Sequence, residues 1–302
     1  MTIGIGVLCC TKPKNQKFRP GEDEGVRPDT LIMLADTMGS TDYDSTDDLY
    51  KMYISPDVKL YGTGAGNMEM CSEIFAYLEQ QLRKATEPRT HGTMLTLINQ
   101  AVHGHRSQHF QIDVLQSTHL PLIRFANETA EQLTPQWKHE QIERDWREYD
   151  TGASLLIGSF DDNGQALLYF VGRIFDSNGD VSPRLVHPCF FPGYRCVGIG
   201  SRNANFWLTY RGQTLGLSPK QSVYHAYEAK VMAANAPTVN DRTEVLIVSK
   251  DQKPFYFSEK LHAPKDSPVS LAELETMFLK YGPQDTRKDL GHPIPKTSKN
   301  RR

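Results

Sequence analysis

The chain of 302 residues has little of what marks membrane, nucleic-acid-binding or exported proteins. No apolar run approaches the ~20 residues that a membrane helix needs. The net charge of −2 gives no reason to expect nucleic acid or an acidic membrane surface as a partner. The opening MTIGIGVLCC has no basic segment of the signal-peptide kind. We therefore expect a cytoplasmic protein without a presequence, in which Thr2 follows the initiator methionine.

Cysteine usage points to the same compartment. The five cysteines are odd in number and form no CxxC pair, so neither a disulfide framework nor a zinc ribbon is expected. Cys9 and Cys10 fall in an apolar run and are interpreted as inert buried thiols.

Ligand-binding signatures are also scarce. The run Gly62-Thr-Gly-Ala-Gly66 lacks the spacing of a dinucleotide-binding fingerprint. The histidines of the polar segment 103–150 are interpreted as solvated loop residues rather than metal ligands: His103, His105, His109 and His119. We therefore expect no metal and no organic cofactor.

The composition is that of a folded chain with a sizeable core, with 38% apolar and 23% charged residues. Short apolar runs predict strands at 2–10, 29–36, 51–54, 58–62, 154–159, 166–171, 194–199, 245–248 and 255–257. Helices are predicted at 67–84, 94–102, near 128–149 and at 219–234. A glycine-rich turn is predicted at 62–66 and a hairpin turn at 161–164. Segregated runs of strands and helices favour an α+β fold over a parallel sheet.

Three residues meet the chemical needs of an N-terminal nucleophile. A threonine hydroxyl is a weak nucleophile, and a free α-amine with a pKa of about 8 can act as its base. Thr2 qualifies if Met1 is removed. A lysine ammonium would lower the pKa of the hydroxyl and a carboxylate would hold the lysine, so Lys51 and Asp36 are candidates. Spacing alone does not single these residues out.

The chain resembles the proteasome β-subunit family, including the bacterial peptidase HslV and the ancestral β-subunit-like proteins of bacteria. The resemblance covers about two thirds of the chain. The motifs that carry it are, in order, Thr2-Ile-Gly-Ile-Gly-Val7, Leu34-Ala-Asp36-Thr37, Lys51 before a strand, Gly64-Ala-Gly66 before a helix, Ile157-Gly158 before a hairpin, Val197-Gly-Ile-Gly-Ser201, and the strand 245–248.

The resemblance implies a role for each matched residue. Thr2 is the nucleophile and its α-amine moves the proton. Asp36 orients Lys51, whose charge tunes the hydroxyl of Thr2. The backbone N–H of Gly66 forms the oxyanion hole.

Two matches depend on the alignment. Ser201 corresponds to the family serine that supports the amine, although another register puts Ile199 there. Asp241 corresponds to a family aspartate, but the Ser-Gly-Gly that usually accompanies it is missing. Gly39, Gly64 and Met68 correspond to substrate-binding positions. A glycine at position 64 implies a deep pocket and Met68 an apolar one, so large apolar residues are expected before the cleaved bond.

The implied fold is the four-layer αββα sandwich of N-terminal nucleophile hydrolases, formed by a domain at 2–282 and followed by a basic, solvated tail at 283–302. A loop at 11–28 and a segment at about 103–150 are insertions relative to the family. The implied activity is a threonine-type amide hydrolase, first of all a peptidase that assembles into a ring or larger homo-oligomer. Two alternatives remain: an amidase of a small non-peptide amide, and a catalytically silent subunit that only assembles.

Overall fold

The computed structural model describes residues 3–11, 27–37, 39–40, 45–46, 51–115, 136–174, 182, 184–234, 239, 242–250, 252–258 and 267–283. For 39–40, 45–46 and 136–139 only the backbone is described. Several predicted features lie outside these residues, namely Thr2, most of the loop 11–28, His119, Asp241 and the tail after residue 283.

The first sheet has five antiparallel strands and contains the beginning of the described chain. Its strands are β1 (Ile3–Cys9), β2 (Thr30–Asp36), β10 (Tyr194–Gly198), β11 (Thr243–Ser249) and β12 (Phe255–Ser258), in the spatial order β10-β1-β2-β11-β12. The predicted antiparallel return of the first strand is confirmed, with Ile5 opposite Leu34. Both neighbours of β1 are present, so the first strand is held on both edges.

The second sheet also has five antiparallel strands. They are β5 (Met52–Ser55), β6 (Leu60–Gly66), β7 (Ala153–Phe160), β8 (Ala166–Val171) and β9 (Val186–Pro188), paired in chain order. The predicted hairpin turn at 161–164 joins β7 and β8 and is confirmed. A separate two-stranded ribbon consists of β3 (Gly39–Ser40) and β4 (Ser45–Thr46).

Six α-helices lie in the described part of the chain, and most begin with a side-chain cap. They are α1 (Met68–Lys84), α2 (His91–Phe110), α3 (Gln136–Glu148), α4 (Ser201–Tyr210), α5 (Pro219–Ala233) and α6 (Leu271–Tyr281). Capping boxes at Thr90, Ser218 and Ser270 start α2, α5 and α6, and each satisfies backbone N–H groups that have no partner within the helix.

Three apolar cores join these elements into a mixed α+β structure. One core lies between the first sheet and helices α4–α6, with Ile3, Ile5, Val7, Leu208, Val223, Ala226 and Phe278 among its members. Another lies between the second sheet and α1 and α2, and includes Ile74, Leu78, Ile98, Leu155 and Ile157. The third lies between the two sheets and includes Leu8, Met33, Leu156, Leu168 and Leu246. Burying each large apolar side chain contributes roughly 1.5–3 kcal/mol, so these cores fix the position of β1.

The glycine-rich segment 62–66 is a strand and not the predicted turn. Gly62 and Gly64 are needed because α1 packs closely against β6. A Cβ placed on Gly62 would lie 2.0 Å from the ring of Phe75, and one on Gly64 would lie 2.8 Å from Cys71 Sγ. Glycine content predicted a turn because it reports a requirement for space or for unusual backbone angles without distinguishing them.

The histidines predicted to lie in a loop are helical. His103, His105 and His109 belong to α2, which begins before and ends after the predicted helix 94–102. His105 Nδ1 and His109 Nε2 lie 3.3 Å and 3.0 Å from the same oxygen, Glu73 Oε2 on α1. Helical spacing of four residues puts the two imidazoles on one face, where His109 is hydrogen-bonded to Glu73 of α1 and His105 lies beside it.

The segment 103–150 has a small apolar core of its own. Phe110, Leu115 and Ile142 are buried against one another, and Arg106 lies over the ring of Trp146 at 4.3 Å from its centre. The helix predicted near 128–149 is observed as α3, and a π-helical turn at Gln111–Leu115 follows α2. Helices α4 and α6 were not predicted.

The close contact of α1 with β6 gives a test of the fold. Gly62→Ala should destabilise the protein by about 1–3 kcal/mol, because its Cβ would lie 2.6 Å from the backbone oxygen of Leu156 as well as inside the Phe75 ring. Gly104→Ala is the matched control, because nothing lies within 4 Å of its Cβ, and it should stabilise α2 by about 0.5–1 kcal/mol. Urea unfolding measures both, and equal effects of the two substitutions would contradict the packing.

Candidate active site

The candidate residues that the structure describes gather at one end of the two sheets. In the first sheet, Ile3 begins β1 and Asp36 ends the antiparallel neighbour β2. In the second sheet, Lys51 comes immediately before β5, and Gly66 ends its antiparallel neighbour β6. Because antiparallel neighbours begin and end at the same edge, each sheet brings its two residues to one edge.

A buried ion pair joins the two edges. Lys51 Nζ donates to Asp36 Oδ1 at 2.7 Å, and the side chains are 1% and 0% exposed. A charge in such a position is tolerated only with a partner and further hydrogen bonds. The structure therefore brings together the lysine and the carboxylate that the sequence singled out, while their catalytic roles stay predictions.

The same carboxylate oxygen also binds the beginning of the chain. The backbone N–H of Ile3 donates to Asp36 Oδ1 at 3.0 Å. This nitrogen belongs to the peptide bond between Thr2 and Ile3. Because one oxygen contacts both nitrogen atoms, Lys51 Nζ and Ile3 N are separated by no more than the sum of the two distances.

A second buried carboxylate, Glu244, was missed by the sequence analysis. Glu244 is fully buried near the start of β11, where its Oε2 accepts the backbone N–H of Lys51 at 3.2 Å. The hydroxyl of Tyr256, on β12, donates to the other carboxylate oxygen at 2.7 Å. The available signal was a charged residue next to the apolar run of a central strand, where burial is the rule.

The pKa values follow from this burial. Burial lowers the pKa of Lys51, while the charge and hydrogen bond of Asp36 and the charge of Glu244 act in the opposite direction. Burial raises the pKa of Glu244, opposed by the hydrogen bonds from Tyr256 and the Lys51 backbone and by the Lys51 charge. Asp36 thus binds the Lys51 ammonium itself, whereas Glu244 binds the backbone N–H of the same residue.

Gly66 has a conformation that requires glycine. Its φ is +86°, and a Cβ would lie 1.8 Å from the carbonyl oxygen of Gly152. The residue is exposed at the end of β6, immediately before the N-cap Asn67 of α1. An exposed backbone at a helix N-terminus is a suitable place for binding a developing negative charge.

The structure describes the surroundings of Gly64 and Met68, but only the backbone at Gly39. A Cβ on Gly64 would lie 2.8 Å from Cys71 Sγ and 3.8 Å from Met68 Sδ, so Met68 is adjacent as expected. Close packing by the buried Cys71 accounts for this glycine without a substrate. Gly39 belongs to the short strand β3, of which only the backbone is described.

The alternatives Ser201 and Ile199 both follow β10 at the same end of the first sheet. Gly198, the last residue of β10, lies opposite Ile3. Ile199 is half exposed, and Ser201 is the first residue of α4. The ladder between β1 and β10 ends at the pair of Ile3 and Gly198, so both registers stay predictions.

No protein-family model matches the chain, and a comparison with curated proteins finds no match. Within the described ranges, no group of His, Cys, Asp and Glu side chains is arranged to hold a metal ion. None of the described helices is long and apolar enough to cross a membrane. The buried cluster holds an ammonium close to the backbone nitrogen of Ile3.

The ion pair gives a test of its own. Asp36→Asn should lower the free energy of unfolding by about 3–5 kcal/mol, because it leaves the buried Lys51 ammonium without its nearest carboxylate. Glu79→Gln is the control, because it removes a carboxylate paired with Arg83 in water and should leave the urea midpoint nearly unchanged. Similar midpoints for both variants would show that Asp36 and Lys51 are not a buried pair.

Proposed function

We propose that the chain is an N-terminal nucleophile hydrolase similar to the proteasome β subunits, with Thr2 as its nucleophile after removal of Met1. The observation that carries the proposal is the shared oxygen of Asp36, which binds both the Lys51 ammonium and the backbone N–H of Ile3. A buried cation is thereby held next to the peptide bond that joins Thr2 to the rest of the chain. A threonine used as a nucleophile needs such a cation and a nearby base.

The stacking of the three cores supports the four-layer αββα architecture of these hydrolases. Helices α4–α6 cover one face of the first sheet, the two sheets pack on one another, and α1 and α2 cover the far face of the second sheet. Strand β1 is paired on both sides, so in this proposal the nucleophile is joined directly to a rigid element that begins at Ile3.

The first chemical step forms an ester on Thr2. The α-amine takes the proton from the hydroxyl while Oγ attacks the amide carbonyl carbon of the substrate, and the electron pair of the C=O bond moves to the oxygen. The N–H of Gly66 stabilises this oxyanion, and the Lys51 ammonium stabilises the negative charge that develops on Oγ. The α-ammonium then gives its proton to the departing amine as the C–N bond breaks.

The second step releases the acid. A water molecule gives a proton to the α-amine as its oxygen attacks the ester carbon. The new intermediate collapses, the C–O bond to Thr2 breaks, and the same proton returns to Oγ. Lys51 and Asp36 keep their charges throughout, so the buried pair acts as a fixed electrostatic support.

Peptides are the first substrate class, and the preference for large apolar residues before the cleaved bond rests on the resemblance at Gly64 and Met68 alone. Self-association into a ring or larger homo-oligomer is part of the proposal. The exposed aromatic residues Phe206 and Tyr210 on α4 form one apolar surface of the kind that subunit contacts cover.

The decisive experiment is covalent labelling at Thr2. Intact mass should show loss of Met1, and a peptide epoxyketone should add to the protein, because this reagent needs both the hydroxyl and a free α-amine. Thr2→Ala should lose the adduct and the hydrolysis together, whereas Thr2→Ser should keep part of both. Protein with a free Thr2 that forms no adduct and cleaves no amide would be a silent subunit, and cleavage of small amides but no peptide would indicate the amidase.

The role of the lysine is tested by removing its charge while keeping its length. Lys51→Met should lower kcat by on the order of 10²–10³-fold, because the charge on Oγ loses its stabilising partner. Lys84→Ala, at the exposed end of α1, is the matched control and should be as active as the wild type. Circular dichroism and urea unfolding establish that both variants fold, and normal turnover by folded Lys51→Met would remove Lys51 from the mechanism.

A further inference from the structure

We propose that Glu244 is a positioning residue of the same site, which holds Lys51 in place from the interior and keeps its side chain charged. This inference rests on the proposed function. It concerns a residue that no motif in the sequence singled out. Its consequence is that Lys51 acts on Thr2 as a permanent ammonium and not as a proton acceptor.

Both oxygen atoms of the Glu244 carboxylate are bound. Oε2 accepts the backbone N–H of Lys51 at 3.2 Å, and Oε1 accepts the hydroxyl of Tyr256 at 2.7 Å. Glu244 pairs with Ala35 in the ladder between β11 and β2, one residue away from Asp36. The orientation of the carboxylate is therefore fixed from both sheets, by Tyr256 on β12 and by Lys51 just before β5. A residue that positions another has to be fixed in this way.

A neutral side chain would satisfy these hydrogen bonds equally well. A glutamine could accept the backbone N–H of Lys51, and the hydroxyl of Tyr256 can accept as well as donate. A buried carboxylate is costly unless its charge is used. Two donors bind the Glu244 carboxylate, as suits its charged form, and one of them is the backbone N–H of Lys51. Lys51 carries the cation of this cluster among the described residues, and in this proposal it is the charge on which Glu244 acts.

The charged groups that face Lys51 come from two strands of the first sheet. Asp36 approaches from β2 and Glu244 from β11, while Tyr256 on β12 reaches the cluster through Glu244. Burial favours the neutral amine, and the two carboxylates oppose it. Without the charge of Glu244, the pKa of Lys51 should fall further.

The test is Glu244→Gln, measured as the pH dependence of kcat/KM and of the rate of epoxyketone labelling. We expect the alkaline limb of both profiles to move to lower pH by about one unit, because the active ammonium is lost earlier. KM near neutral pH should stay the same, because the substituted side chain is buried below the site. Glu244→Asp, which keeps the charge, should have an alkaline limb closer to that of the wild type.

The matched control is Glu228→Gln. Glu228 is the other fully buried glutamate in the part of the chain that the structure describes, and its oxygen atoms accept from Arg211 at 2.5 Å and 2.7 Å. This substitution should leave the pH profile of the wild type unchanged even if the protein becomes less stable. A shift of the same size in Glu228→Gln would show that loss of stability, and not the charge beside Lys51, moves the limb.

A second measurement does not depend on turnover. In protein carrying isotope-labelled lysine, the Lys51 signal is identified by its absence in Lys51→Met, and its pKa is followed by NMR. We expect a lower pKa in Glu244→Gln than in the wild type. An unchanged Lys51 pKa, or a faster reaction at neutral pH, would overturn the inference while leaving Thr2 as nucleophile. Wild type that never labels would instead overturn the proposed function, and the NMR comparison would still decide on Glu244.

Discussion

The structure depends on an ammonium buried where the two sheets meet. Lys51 enters from the flank of the second sheet, and Asp36 meets it from the end of β2 in the first. A single unpaired charge in this interior would cost several kcal/mol, so every element around it has to supply a partner. The relative position of the two sheets is therefore constrained at this edge by charge, and elsewhere by the apolar core between them.

Small residues allow this edge to close. A Cβ on Gly4 would lie 2.7 Å from the side chain of Thr63, so the first strand approaches β6 at a distance that only glycine permits. The same strand is buried along its whole length and paired on both sides. The glycines at alternate positions of β1 make no side-chain contacts of their own. They allow the first strand to pack closely against the second sheet.

The buried ion pair lowers the stability of the fold relative to apolar residues in the same place. Well-packed apolar residues in place of a buried ion pair are often as stabilising or more so. A second buried carboxylate, Glu244, adds to the expense, since its own pKa is raised by burial. A cluster that gives up stability in this way, with the backbone N–H of Ile3 on the same Asp36 oxygen as the Lys51 ammonium, is the reason for both proposals.

Much of the secondary structure is determined locally and was predictable from the sequence. The short apolar runs of β1 and β2, the hairpin between β7 and β8, and the periodicity of α1 and α5 all depend on neighbours within a few residues. The α+β class follows from the order of these elements. Asp36 and Lys51 were identified because they stand beside such elements in a recognisable order, although spacing alone could not pair them.

The tertiary structure decided what depends on distant residues. Lys51 and Glu244 are 193 positions apart in the chain, and no local pattern connects them. The sequence predicted a turn at 62–66, but Gly62 and Gly64 are explained by their contacts with Phe75 and Cys71 of α1. It also predicted a loop for the histidines of α2, two of which lie beside Glu73 of α1. In each instance the sequence determined that a residue was unusual for its neighbourhood. The residue is explained by a contact with a distant part of the chain, and only the packing of sheets and helices creates that contact.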